Sequence, residues 1–121
     1  VIIFVLENAE GEIINVNKLL LKTMDIKQCA SLEEVREQID RIDSQMIALI
    51  AERGQYALQT ANFKKKGHVR DLAREEKVIA KVRARAEECG ANQDLVESLY
   101  RLMISRFVMM EEVKMEREGR G

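Results

Sequence analysis

An all-α fold is predicted by three features of this 121-residue chain: the absence of proline with only six glycines, the scarcity of aromatic side chains, and long apolar series at helical spacing. The expectation is a three-helix protomer led by one long N-terminal helix, paired as a homodimer and preceded by a short hairpin-like segment.

The first stretch, VIIFVLENAEGEIINVNKLLLKT, carries two β-branched runs around Glu10, Gly11 and Glu12, a hairpin pattern. Its core, FVLENAEGEIINVN, is similar to the first two strands of a PAS sensor domain. Residues 1–27 are therefore expected to be an N-terminal extension, a hairpin or fusion remnant, and residues 28–121 the helical domain. From Ser31 to Lys66 the chain reads as one helix. Leu32, Val35, Ile39, Ile42, Met46, Leu49, Arg53, Tyr56, Thr60 and Phe63 form an unbroken 3,4 series along it. Ser31 and Glu34 make a capping box, Glu33 suits the helix dipole, and Gly67 is the stop. Asp71 caps a second helix running to about Glu88, whose apolar face is Leu72, Val78, Ile79, Val82 and Ala86. Gly90 closes it in the left-handed conformation, and Asn92 caps a third helix. That helix carries two stripes: Leu95, Leu99, Leu102, Arg106, Met109 and Val113 at heptad spacing, with Val96, Tyr100, Ile104, Phe107 and Glu111 beside them. A first helix of about 35 residues spans roughly 50 Å, more than two shorter partners can cover. Pairing two copies removes the apolar surface left over.

Twenty basic and twenty-one acidic residues nearly cancel, which argues against a general nucleic-acid or membrane-surface binder. The longest apolar run, Val1 to Leu6, is too short to span a bilayer. Cys29 and Cys89 lack metal-ligand spacing, so no metal site is expected, and free thiols suit a cytoplasmic location. A single histidine, His68, rules against a catalytic triad. The interest lies in cations placed where apolar residues belong. Arg53 sits in the seam of the first helix, and Lys64, eleven residues on, returns to within roughly 20° of the same face. An unpaired buried guanidinium is costly, so an internal carboxylate or an anionic ligand should meet Arg53, unless it snorkels at a rim. Lys65 and Lys66 read as a solvated helix end, and Arg106 as a partner for glutamates between helices. Arg36 lies about 260° around the helix from Arg53, so the two can share a pocket only across a two-fold axis. With Arg74, Glu75 and Glu111 added, the set suits a small polyanion, and paired guanidinium forks suit a dicarboxylate.

These residues fall in motifs that resemble a known family. VREQIDRID, LIAERGQYA, FKKK, VRDLAREEKV and LYRLMISRFVMMEE together make the segment from Leu32 to Glu112 similar to the all-helical chorismate mutases, to which isochorismate pyruvate lyase is related. The resemblance implies an intertwined helical homodimer that rearranges chorismate, a small dicarboxylate, to prephenate without a cofactor, in aromatic amino-acid biosynthesis. Residue by residue it implies that Arg36 is donated by the other subunit and that Arg53 and Lys64 are the central cations. Asp71 and the Arg74 and Glu75 pair would bind substrate around its hydroxyl. Glu111 falls where many members have glutamine and some glutamate, and Phe107 stands where some relatives have serine.

A pericyclic rearrangement needs no base or nucleophile. It needs the enolpyruvyl arm held over the ring and charge on the ether oxygen stabilised as the carbon–oxygen bond breaks. Arg36 and Arg53 would clamp carboxylates, Lys64 would donate to the ether oxygen, Arg74 would support the cationic wall, and Glu75 would accept from the ring hydroxyl. Two rivals remain open: isochorismate pyruvate lyase on the same scaffold, and a non-catalytic ligand-sensing or dimerisation module. VRDLAREE favours the mutase because it keeps Asp71, Arg74 and Glu75. Glu111 on its apolar stripe is partly desolvated, and it can donate to the ether oxygen only while protonated. Turnover is therefore expected to fall as pH rises and the fall to vanish in Glu111→Gln; a wild-type pH–rate profile flat from acid to mildly alkaline conditions counts against that role.

Overall fold

A computed structural model describes residues 5–7, 9–11, 13–15 and 26–119 of the chain. Its elements are a strand pair, β1 (Val5–Glu7) and β2 (Ile13–Asn15), then helices α1 (Leu32–Thr60), α2 (Leu72–Cys89) and α3 (Gln93–Arg117), with a 3-10 turn at Ala61–Phe63. β1 and β2 are antiparallel, Leu6 opposite Ile14, and Gly11 takes φ 80° between them. The rest of the expected N-terminal extension lies outside the described residues. Among these, no helix is long and apolar enough to cross a membrane.

The start of α1 obeys its capping signals. Ser31 is extended and its hydroxyl accepts from the Glu34 amide at 3.2 Å, while the Glu34 carboxylate reaches back to the Ala30 amide at 2.9 Å, one residue beyond the usual return bond. Its end departs from expectation. The helix stops at Thr60 instead of Lys66, tightens into the 3-10 turn, and leaves Lys64 extended at φ −107°, ψ 151°. The cause is local: the Thr60 hydroxyl donates to the Ala57 carbonyl at 2.6 Å, competing with the helical ladder, and the Ala61 amide closes onto Leu58 and Gln59. Gly67, at φ 82°, makes the turn that follows.

The chain separates into two compact groups, one of residues 27–71 with 103–121, the other of residues 1–26 with 72–102. In the first, Ala61, Val69 and Met115 form a small buried cluster with Val108 against it. Gly54 is buried inside α1, and a Cβ there would stand 2.6 Å from Cζ of Phe107. In the second group, Ile79 and Ala86 are buried and a charged network ties α2 to the first half of α3. Arg83 reaches Asp94 at 3.0 Å and Glu97 at 2.9 Å, and Arg101 reaches Glu97 at 2.7 Å and Glu76 at 3.0 Å. The Arg101 guanidinium holds the carboxyls of Glu76 and Glu97 below the usual carboxylate range, although such exposed pairs add little stability. Between these helices Gly90 takes φ 76° and Asn92 accepts from the Leu95 amide at 2.9 Å, as the sequence requires.

Of the two stripes on α3, the second faces inward: Val96, Tyr100, Ile104 and Phe107 are half-buried and Glu111 is buried. The heptad stripe is exposed, Leu95 at 58% and Leu102 at 57%. The α1 seam is equally open, Ile39 at 50% and Leu49 at 63%. Glycine inside a helix ordinarily costs about 1 kcal/mol relative to alanine, so Gly54→Ala should stabilise unless the Phe107 ring blocks it. The ring decides: Gly54→Ala is expected to lower stability by about 1–3 kcal/mol, read from the urea midpoint, and Phe107→Leu to recover part of that loss.

Candidate active site

The end of α1 brings Thr60, Lys64 and Glu111 together. Glu111 comes from the inward stripe of α3 and is 4% exposed, the one charged residue among the buried ones described. Its Oε1 is in short contact with the Thr60 hydroxyl. Lys64 Nζ stands 3.4 Å from Oε1 and 3.5 Å from Oε2. Because Lys64 has left the helix, the 100° spacing from Arg53 does not aim it. Its ammonium is aimed by the Val69 carbonyl, which accepts from it at 2.8 Å, and Val69 is itself held in the small core. The exposure of the pair is unequal, 27% for the Lys64 side chain against 5% for Glu111. The carboxyl is the dry partner and the ammonium the one a ligand can approach.

One turn along α3, Lys114 donates to Asn62 Oδ1 at 2.8 Å and pairs with Glu118 at 2.9 Å, fastening α3 to the 3-10 turn. This anchors α3 one turn past Glu111. Arg53 is half-buried on α1, two turns before Thr60. Asp71 is exposed just ahead of α2. Arg74, exposed, and Glu75, half-buried, lie in the first turn of α2 and belong to the other compact group. Arg36 is exposed near the start of α1, about 25 Å along the axis from Arg53, and so far from it within one chain. Arg106 is exposed on an apolar groove with Leu58, Met109, Met110 and Val113. Among the described residues, no group of three or more His, Cys, Asp or Glu side chains could hold a metal ion.

Thr60 is the residue that motif reasoning passed over. It appears in the 3,4 series of α1 as one more seam position, yet it is a hydroxyl among apolar and cationic neighbours, which was the available signal. Its chemistry is complementary to a buried carboxyl: a short side chain that can donate one hydrogen bond and accept others. Lys64, with three N–H groups, gives one to Val69 and turns another toward Glu111. The cluster can therefore present a positive donor, and a carboxyl able to donate when neutral, to an oxygen on which negative charge develops.

Comparison with known proteins gives these residues a context. The family model described as chorismate mutase type II matches residues 35–112, which include Arg36, Arg53, Lys64, Asp71, Arg74, Glu75 and Glu111. A curated relative, isochorismate pyruvate lyase of Pseudomonas aeruginosa, is 33% identical over 98 residues, covering 78% of this chain and 94% of that protein. The family match runs through the end of α1 and into the second half of α3, where the dry carboxyl and its ammonium meet. The chain belongs to the chorismate mutase type II family.

Proposed function

We propose that this protein is a chorismate mutase, working as a homodimer in which Arg36 of the partner subunit completes each site. The observation that carries the proposal is the buried Glu111 held against Lys64 and Thr60, a cluster that can turn donors toward an oxygen. Family membership supplies the substrate class, and the sequence motifs supply the remaining roles. Lys64, the more exposed partner of the pair, donates to the ether oxygen as the carbon–oxygen bond lengthens. Glu111, when protonated, donates to the same oxygen, and removing one such donor typically costs about 10²–10³ in rate. Arg53 and the partner's Arg36 clamp the two carboxylates so that the folded, reactive conformer is the one bound. Asp71, Arg74 and Glu75 serve the ring hydroxyl and its surroundings.

Self-association is supported by the open seams. Ile39, Ile42, Met46 and Leu49 on α1 are 44–63% exposed, and Leu95, Leu99 and Leu102 on α3 are 49–58% exposed. Aligned apolar rows of this length remain in water only at a large free-energy cost, and pairing two copies removes it. Arg36 shares α1 with the open seam, so the pairing that covers the seam can also deliver its guanidinium to a neighbouring site.

A second reading has a specific observation in its favour: the Pseudomonas aeruginosa relative is an isochorismate pyruvate lyase. A lyase would use the same cations on an isomeric dicarboxylate, breaking the carbon–oxygen bond without forming the new carbon–carbon bond. Separate incubations with chorismate and isochorismate decide between them. The mutase reading expects prephenate from chorismate at a rate well above any salicylate and pyruvate from isochorismate; the reverse ratio overturns it.

The shared site has its own test. Arg36→Ala and Lys64→Ala proteins, each inactive alone, are mixed, unfolded and refolded together. A statistical mixture should regain about a quarter of the wild-type sites, since half the dimers are mixed and each of these holds one intact site. No recovery in refolded, dimeric material would place Arg36 outside the neighbouring site.

A further inference from the structure

We propose that Asn62 is a positioning residue: its side-chain oxygen draws the Lys114 ammonium away from Glu111 and so leaves that carboxyl to Lys64. The proposal goes beyond the mutase reading, on which only its kinetic consequence rests.

Glu111, Lys114, Met115 and Glu118 stand at positions i, i+3, i+4 and i+7, on one face of α3 and its last turn. Glu118 lies just past the helix, its amide still donating to the Lys114 carbonyl at 3.1 Å. The first three of these meet the 3-10 turn or its flanks. Glu111 meets Thr60 and Lys64, Lys114 meets Asn62, and Met115 lies in the buried cluster with Ala61. Lys114 therefore has an acidic side chain within helical reach in each direction, Glu111 three residues before it and Glu118 four residues after. Helix geometry by itself favours the first, because a glutamate pairs better with a lysine that follows it than with one that precedes it. Burial favours the same choice. Glu111 is 4% exposed and the Glu118 side chain 41%, and an ammonium is attracted more strongly to a carboxyl shielded from water.

The opposite pairing is the one present. Lys114 Nζ stands 2.9 Å from Glu118 and 2.8 Å from Asn62 Oδ1, while Glu111 is paired with Lys64 at 3.4 Å. The second acceptor tips the balance: Asn62 and Glu118 together engage two of the three N–H groups of Lys114, which neither could do alone. Lys64, held by the Val69 carbonyl at 2.8 Å, is then the ammonium at the dry carboxyl. A Lys114 turned toward Glu111 would compete for the same two oxygens and loosen the donor that the reaction uses.

Asn62 is exposed, so substitution there puts little packing at risk. Asn62→Leu removes the acceptor, with Asn62→Ala as the alternative should leucine disturb the turn. With chorismate as substrate, kcat is expected to fall about tenfold, the weight of one hydrogen bond to a charged group, while KM stays within about twofold. Asn62→Gln, which keeps an amide oxygen, should retain most of the rate. The decisive variant adds Lys114→Met to Asn62→Leu: taking away the competing ammonium should restore most of the lost kcat. A bond that merely fastened α3 to the turn gives a different pattern, in which each single substitution and the pair lose the same amount. That pattern, or an Asn62→Leu enzyme as fast as the wild type, overturns the proposal and leaves the mutase reading standing. A second measurement needs no substrate. Trace acetylation of the folded, ligand-free protein with acetic anhydride, read lysine by lysine by peptide mass spectrometry, should label Lys64 several-fold faster in Asn62→Leu than in the wild type. Adding Lys114→Met should return that labelling to the wild-type rate. If the wild type turns over neither chorismate nor isochorismate, the reading of the reaction has failed and the labelling alone decides. Unchanged labelling of Lys64, or an increase that Lys114→Met does not reverse, then rejects the role of Asn62.

Discussion

A carboxyl group taken out of water has to be satisfied, and the geometry at the end of α1 follows from meeting that need at Glu111. Three separate local structures converge on it: the hydroxyl that ends the helix, the lysine released by the 3-10 turn, and the asparagine in that turn that fastens α3 through Lys114. Each would be unremarkable alone. Together they place a wet ammonium beside a dry acid, an arrangement whose two members respond differently to solvent and to a ligand. Charge burial of this kind is seldom kept for stability, because apolar packing would serve as well or better. Its presence beside the small buried cluster among the described residues points to chemistry.

Much of the fold was legible from local signals. Ser31, Gly67, Gly90 and Asn92 mark their boundaries because capping and left-handed geometry depend on one residue and its immediate neighbours. The three helices were equally readable from their 3,4 spacing. Two things were not. The spacing shows that a stripe is apolar without saying which of two stripes turns inward, and on α3 the less regular one does. The end of α1 was also misplaced, because a run of good helix spacing conceals a β-branched hydroxyl that prefers its own back-bond to the next turn.

At the site, the cations and Glu111 could be nominated because polar residues interrupt apolar series. Their mutual geometry could not be. Lys64 was placed by projecting a helix that stops four residues earlier, and its ammonium is oriented instead by a carbonyl five residues further on. Thr60 was invisible as a functional candidate, since a single threonine in a seam looks like any tolerated polar residue until its neighbour across the core is known. Arg74 and Glu75, by contrast, remain assignments of motif, resting on the likeness of VRDLAREE to the family pattern.

Connections between helices are ordinarily the places where a lineage gains and loses residues freely. The stretch from Lys64 to Val69 is different, because the backbone oxygen that steers the ammonium belongs to the same short excursion as the ammonium itself. Lengthening or shortening that excursion by even one residue would change the aim of the side chain. This interval should tolerate substitutions at Lys65, Lys66 and His68, which face water, while its residue count stays constrained.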